Sequence, residues 1–260
     1  MSYGVPSLAY SHVVVLLRGA QLEIFTTRGS ELSFADVEEL QRVLSGMDTS
    51  VPGRTEGRRS HHRERYCITL YLRLLTSANL LDFPLRVVKE ESPDFLFHLS
   101  DGNVMGLEIT EAGTELHQRS ATELERSPVG TLLEGKGGLR RPGEPLRGRG
   151  YVDDEPERKL SKLILTALTE KTIKLNRPHF APVDLYELLI YDNSHLVFAK
   201  LEDLAPLLRT SLTEWQGQQQ TERRFTSVSI LRDSQLLFDC TGRSAILKVP
   251  QRREIGKGDV

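Results

Sequence analysis

The chain has 260 residues, which at roughly 150 residues per domain makes one large domain or one domain with an appendage. Its 34 Lys and Arg against 36 Asp and Glu leave a formal charge of −2, so any nucleic-acid binding must come from local patches and not from bulk charge. Two cysteines, Cys67 and Cys240, exclude a disulfide framework or a four-cysteine zinc site and fit a reducing compartment. The best apolar run, residues 13–17, falls far short of the roughly 20 residues that span a bilayer. The first ten residues carry no Lys or Arg ahead of an apolar stretch, which is the wrong layout for a secretory signal, so a cytoplasmic protein with no membrane partner is expected.

Residues 12–27 put two β-branched runs either side of Arg18-Gly19-Ala20, the pattern of a hairpin. Ser33 with Asp36 three residues later, then Val37, Leu40, Val43 and Leu44, reads as a capped amphipathic helix stopped by Gly46. This ββα unit is too small to stand alone, and a polar, basic stretch after it sets a boundary near Pro52, so residues 1–52 form an N-terminal appendage. Over residues 62–81, Tyr66, Ile68, Leu70, Leu72, Leu74 and Leu75 make the broad apolar surface of a core helix. A short strand at 85–88 precedes a second hairpin, whose residues alternate on both sides of Asp101-Gly102. Residues 113–153 are rich in Gly and Pro and poor in apolar side chains, and they read as a basic insertion or functional loop. Helical spacing returns over 155–175, and residues 183–191 are apolar on both pleat faces, as in a strand covered from both sides. A helix at 201–212 and strands at 225–231 and 236–239 complete a domain of residues 53–250, followed by a flexible tail at 251–260. The class expected is α/β, a central mixed sheet flanked by helices, with the N-terminal ββα appendage.

The chemistry concentrates on the second hairpin. Phe95, Phe97 and Leu99 on one strand and Met105, Leu107 and Ile109 on the other are odd-numbered apolar rows that both want the core. If they share a face, Asp94 and Glu108 share the other and lie nearly opposite each other, which requires a three-residue loop or a bulge at 100–102. Two adjacent carboxylates repel unless a cation sits between them, and hard oxygen donors favour Mg²⁺ or Mn²⁺. The Ile109 carbonyl is a candidate third ligand. A metal held this way, with open positions, suits a phosphodiester and its attacking water.

Pro93-Asp94 followed by Glu108-Ile109-Thr110 resembles the signature of the PD-(D/E)XK phosphodiesterase superfamily, the fold of many restriction enzymes and recombination exonucleases. The resemblance extends over residues 62–240 in element order and implies a restriction-endonuclease-like αβββαβ core. It implies a Mg²⁺- or Mn²⁺-dependent nuclease, a hydrolase acting on DNA in preference to RNA, with defence against foreign DNA as the family's habit. A homodimer or larger complex is compatible with it. Thr110 stands where the family has its lysine, and threonine supplies no cation to a developing phosphorane charge. In some relatives that lysine has moved to a following helix. At 100° per residue, Leu160, Ile164, Ala167, Leu168 and Leu175 centre on Lys171, which makes it the candidate catalytic cation, with Lys174 about 60° off as second choice. Glu64 on the core helix is a candidate auxiliary metal ligand, as in some relatives.

Other readings compete. Paired acids on a hairpin are commonly a solvated face, and Lys171 can instead snorkel at a helix C-terminus. A protein that lost the lysine at Thr110 can keep the fold as a non-catalytic module for nucleic-acid binding or complex assembly. Two basic loops, residues 54–65 with Arg58 and Arg59, and residues 136–149 with Arg140, Arg141, Arg147 and Arg149, are the candidate phosphate contacts. His61-His62 reads as surface, and His98 lies on the carboxylate side of the hairpin by parity, read as a satisfied structural His ahead of a site-lining one, while Gly135-Lys136-Gly137-Gly138 lacks the Ser/Thr and helix of a phosphate-binding loop.

Overall fold

The computed structural model describes residues 25–113, 115–129, 131–133, 139–144, 152–194, 196, 198–218, 221–240 and 243–248. The predicted hairpin over 12–27 lies almost wholly outside them, and its last residues, from Phe25, form a turn. β1 (Glu31–Phe34) takes Ser33 into a strand, so the helix α1 (Val37–Gly46) starts three residues later than predicted. Asp36 is its N-cap: its side chain accepts from the Glu39 backbone N–H at 2.8 Å, and the Glu39 carboxylate accepts from Ala35 N at 2.9 Å. Ser33 has the right chemistry for a cap, but β1 claims its backbone for the sheet.

α2 (Ser60–Ser77) is the predicted core helix, shifted by two to four residues. It buries Cys67, Ile68, Tyr71, Leu72 and Leu74 against one face of the sheet. β2 (Leu85–Lys89), β3 (Phe95–His98) and β4 (Val104–Ala112) follow as an antiparallel meander. The insertion read as a loop holds α3 (Glu115–Arg126) and a small hairpin of β5 (Leu132–Leu133) and β6 (Leu139–Arg140). The sparse apolar content of α3 is what concealed it. α4 (Glu155–Leu175) then crosses over to β7 (Leu185–Asp192), which pairs parallel with β4. α5 (Leu201–Gln218) runs six residues beyond its predicted end and crosses to β8 (Ser227–Arg232), parallel to β7. β9 (Gln235–Cys240) and β10 (Arg243–Lys248), the second of which was not predicted, close the far edge as antiparallel strands.

The result is an α/β architecture with an eight-stranded mixed sheet in the order β1-β2-β3-β4-β7-β8-β9-β10 and, among the described residues, five helices. The odd-numbered residues Phe95, Phe97, Leu107, Ile109 and Leu189 face α1 and α2. Leu188 and Ile190 face α4 and α5 on the other side, so β7 is covered from both sides as its sequence predicts. The segment read as an appendage is continuous with this core. β1 forms the sheet edge beside β2, and Phe34, Leu40 and Leu44 pack in the α2 cluster. Alone, α1 had no apolar surface to bury against, which is why it is joined to its neighbour and not set apart. Among the described residues no helix is long and apolar enough to cross a membrane.

Candidate active site

The β3–β4 register is the one the alternation requires. Phe95 opposes Leu107 and Phe97 opposes Met105, so residues 100–102 form a three-residue loop in which Gly102 takes a positive φ of 89°. One step beyond the Phe95–Leu107 pair, the same register sets Asp94 against Glu108. Asp94 extends the ladder with its side chain: Oδ2 accepts from the Ile109 backbone N–H at 2.7 Å. The Gly106 position makes this approach possible, because a Cβ there would stand 2.7 Å from Pro93 Cγ and 3.2 Å from Val183 Cγ2.

Glu108 is fully buried in the middle of the sheet, facing α4. Its Oε1 accepts from Lys171 Nζ and from Lys174 Nζ, both at 2.6 Å. The phase argument selects Lys171, and the structure brings both lysines to the same oxygen. They stand one turn apart, and a four-carbon stem easily spans the 60° that separates their directions. Glu108 Oε2 is buried and has no hydrogen-bond partner. Burial first, and then the negative charge of Glu108, push the Asp94 carboxyl up to about 7, while the hydrogen bond from Ile109 holds it back. Lys89 offsets the Asp94 charge only weakly, whereas Glu108 has two lysines in direct contact.

A divalent ion fits these atoms. It would meet the orphaned Glu108 Oε2 and relieve the repulsion at Asp94. The Ile109 carbonyl lies on the Asp94 side of β4: in an extended strand a residue's N–H and C=O point to the same side, and its N–H points at Asp94. Among the described residues, however, no three His, Cys, Asp or Glu side chains are gathered closely enough to hold a metal together. Glu64, the expected auxiliary ligand, is instead ion-paired with Lys89 Nζ at 3.1 Å. Lys89 is buried, donates also to the carbonyls of Glu90 and Asp94, and lies over the Phe95 ring. A metal here would rest on two carboxylates, one carbonyl and water.

The first basic loop is less free than its sequence suggests. From Ser60 it is the start of α2, where Arg65 is buried against Asp48 at 3.1 Å. Arg58 and Arg63 reach Glu111 Oε1 at 3.4 and 2.8 Å, and only Arg59 stays exposed. Glu111 sits three residues beyond Glu108 on the opposite face of β4 and is the site residue the sequence reading missed. Its signal was the alternation itself, which places a carboxylate among the apolar odd row. In the second loop Arg141 is exposed and Arg140 donates to the Glu144 carbonyl at 3.2 Å, whereas Arg147, Arg149 and the stretch 135–138 lie outside the described residues. His98 does not line the site. It stands at the far end of β3, four residues or roughly 13 Å from Asp94, 3.0 Å from Arg86 Nη2, because parity fixes the face but not the position along the strand. The His61 and His62 ring centres lie 4.2 Å apart with the planes tilted by 43°, and His62 Nδ1 accepts from Arg59 N at 3.0 Å, a helix-start role.

The chain matches no family model, no curated protein and no solved structure.

Proposed function

We propose that the protein is a metal-dependent nuclease of the PD-(D/E)XK type, acting on DNA in preference to RNA. The observation that carries the reading is a buried Glu108 set opposite Asp94, with one oxygen taken by two lysines and the other without a partner. The element order α2-β2-β3-β4-α4-β7 supports it, being that of the restriction-endonuclease-like core. So does the supply of two cations from α4 where Thr110 replaces the family's lysine.

Asp94 and Glu108, with the Ile109 carbonyl, would hold Mg²⁺ or Mn²⁺, which when bound polarises a phosphodiester and lowers the pKa of a water molecule. Lys171 and Lys174 hold two positive charges beside Glu108, where they offset the charge that builds on phosphate oxygens in the transition state. Both project from one rigid helix, so their placement needs no reorganisation during reaction. The Ile109 N–H fixes the Asp94 carboxylate in orientation, and the Glu64–Lys89 pair fixes the backbone carbonyl of Asp94.

A second reading, a non-catalytic nuclease-fold module for nucleic-acid binding or complex assembly, is favoured by the two lysines already matching the Glu108 charge. The separating experiment is incubation with plasmid, linear and single-stranded DNA and with RNA, in Mg²⁺, Mn²⁺ or chelator. Metal-dependent cleavage that disappears in Asp94→Asn supports the nuclease; binding without cleavage of any substrate supports the module.

A further inference from the structure

Beyond the carboxylate pair, the carboxyl end of β7 borders a cleft of about 330 Å³, lined by Arg58, Arg63, Tyr66, Tyr191, Asn193 and Glu125, among others. That volume falls in the range of small-ligand sites, roughly 300–1,000 Å³, and the end of parallel strands is where open α/β sheets bind ligands. Its chemistry is guanidinium and phenol. Arg58 and Arg63 share the single carboxylate oxygen Glu111 Oε1, and Arg63 Nε is a buried N–H with no acceptor, so the pair has donors in excess of its partner. Asn193 Nδ2 also donates to Glu111 Oε1 at 3.3 Å, and Gln118 to Oε2 at 3.4 Å. Glu125, the acid in the lining, has its oxygens occupied by the Arg54 and Thr55 N–H groups at 3.0 Å. Tyr66 and Tyr191 meet edge to face with ring centres 5.7 Å apart, and burial pushes both phenols up, so they remain neutral donors.

We infer that this cleft binds one phosphate-bearing nucleotide unit of a single nucleic-acid strand, with Arg58 and Arg63 on the phosphate and the Tyr66–Tyr191 pair beside the base or sugar. Two arginines in reach of one another suit a phosphate's several oxygens, and aromatic side chains supply a sequence-tolerant surface for a base. The inference deepens the nuclease reading and rests on it for the class of ligand. Glu111 lies three residues, roughly 10 Å, beyond Glu108 along β4 and on the sheet's other face, so a strand that reaches both places has to pass round the carboxyl end of the sheet. The role of Glu111 is then to hold the arginines in position until phosphate competes for them.

The test is binding, without metal chemistry: fluorescence anisotropy of a labelled thymidine octamer with the full chain in EDTA, over a salt series. Arg63→Gln should weaken binding roughly tenfold and flatten the salt slope by about 0.7, the value of one lost contact on a single strand. Arg42→Gln, an exposed charge change on α1, should do neither. Glu111→Gln should tighten binding several-fold, because both guanidiniums are released, whereas arginines with a merely structural role would give no gain. If Arg63→Gln lowers the melting temperature, Arg58→Gln makes the same comparison with the Arg63–Glu111 pair intact. Absence of octamer binding, equal effects of Arg63→Gln and Arg42→Gln, or weaker binding in Glu111→Gln would each overturn the inference. A failed cleavage assay alongside these expected shifts would remove the nuclease reading and leave the nucleotide cleft standing.

Discussion

Asp94→Asn should make the metal-free protein more stable above neutral pH, and the size of the gain follows from the site. The folded protein holds a proton on Asp94 up to about pH 7, against an ordinary value of 3.8, because the carboxyl is buried and faces Glu108. In the window between those values the native state binds a proton that the unfolded chain has released. Stability therefore falls as pH rises through the window, and the strain is complete above pH 7. A displacement of that size corresponds to about 4 kcal/mol at most, and with Asp94 in partial contact with water a recoverable gain on the order of 1–3 kcal/mol is expected. Asparagine keeps an acceptor for the Ile109 N–H, so the substitution removes charge and little else. Urea unfolding in EDTA at pH 8 should show the variant's midpoint above the wild type's, with the difference reduced to about a quarter at pH 4.5. Adding Mg²⁺ at pH 8 should narrow the gap by stabilising only the wild type. A variant less stable than wild type by the same amount at both pH values would refute the reasoning, since the Asp94 charge would then be a net favourable group.

Lys171→Met and Lys174→Met should each be tolerated, because Glu108 keeps one lysine, while the double variant leaves a buried carboxylate unpaired and should cost about 3–5 kcal/mol in urea unfolding; additive small losses would mean the pairing is not shared. Gly106→Ala should push Pro93 and with it Asp94, lowering metal-dependent cleavage far more than Val183→Ala does; equal activities would show that the close approach is not needed. Replacing Arg140, Arg141, Arg147 and Arg149 with Ser should flatten the slope of log K against log salt for duplex DNA by up to about 3.6, at roughly 0.9 per phosphate contact; an unchanged slope would take this loop away from nucleic acid.

The parts legible in the sequence were those where one rule decides. Two apolar rows of equal parity force a three-residue loop at 100–102, and that alone sets Asp94 against Glu108. The apolar stripe of α4 aims Lys171 at the sheet, where Glu108 is waiting. The parts that stayed hidden depend on contacts distant in sequence. Ser33 and Asp36 are both good caps, and only the pairing of β1 with β2 chooses between them. Arg58 and Arg63 look like free loop charges until Glu111, about 50 residues later, is brought beneath them by the fold of β4 on α2. Lys89 lies one residue past the strand read at 85–88, and its parity carries it to the α2 face, where it pairs with Glu64 and takes that acid away from the metal role the sequence suggested. Lys174 falls outside the apolar stripe by phase and reaches Glu108 by the length of its stem.

The central claim is that Asp94 and Glu108 together hold a divalent ion, and it can be measured without knowing the substrate. Titration of Mn²⁺ followed by the loss of the free-ion electron paramagnetic resonance signal, at pH 8 on the full chain, counts the sites directly. The account predicts one site in the wild type, lost or weakened by at least about tenfold in both Asp94→Asn and Glu108→Gln, and intact in Glu187→Gln, whose buried acid hydrogen-bonds Ser229 elsewhere in the core. No Mn²⁺ binding by the wild type, or binding that both site variants retain, would contradict it.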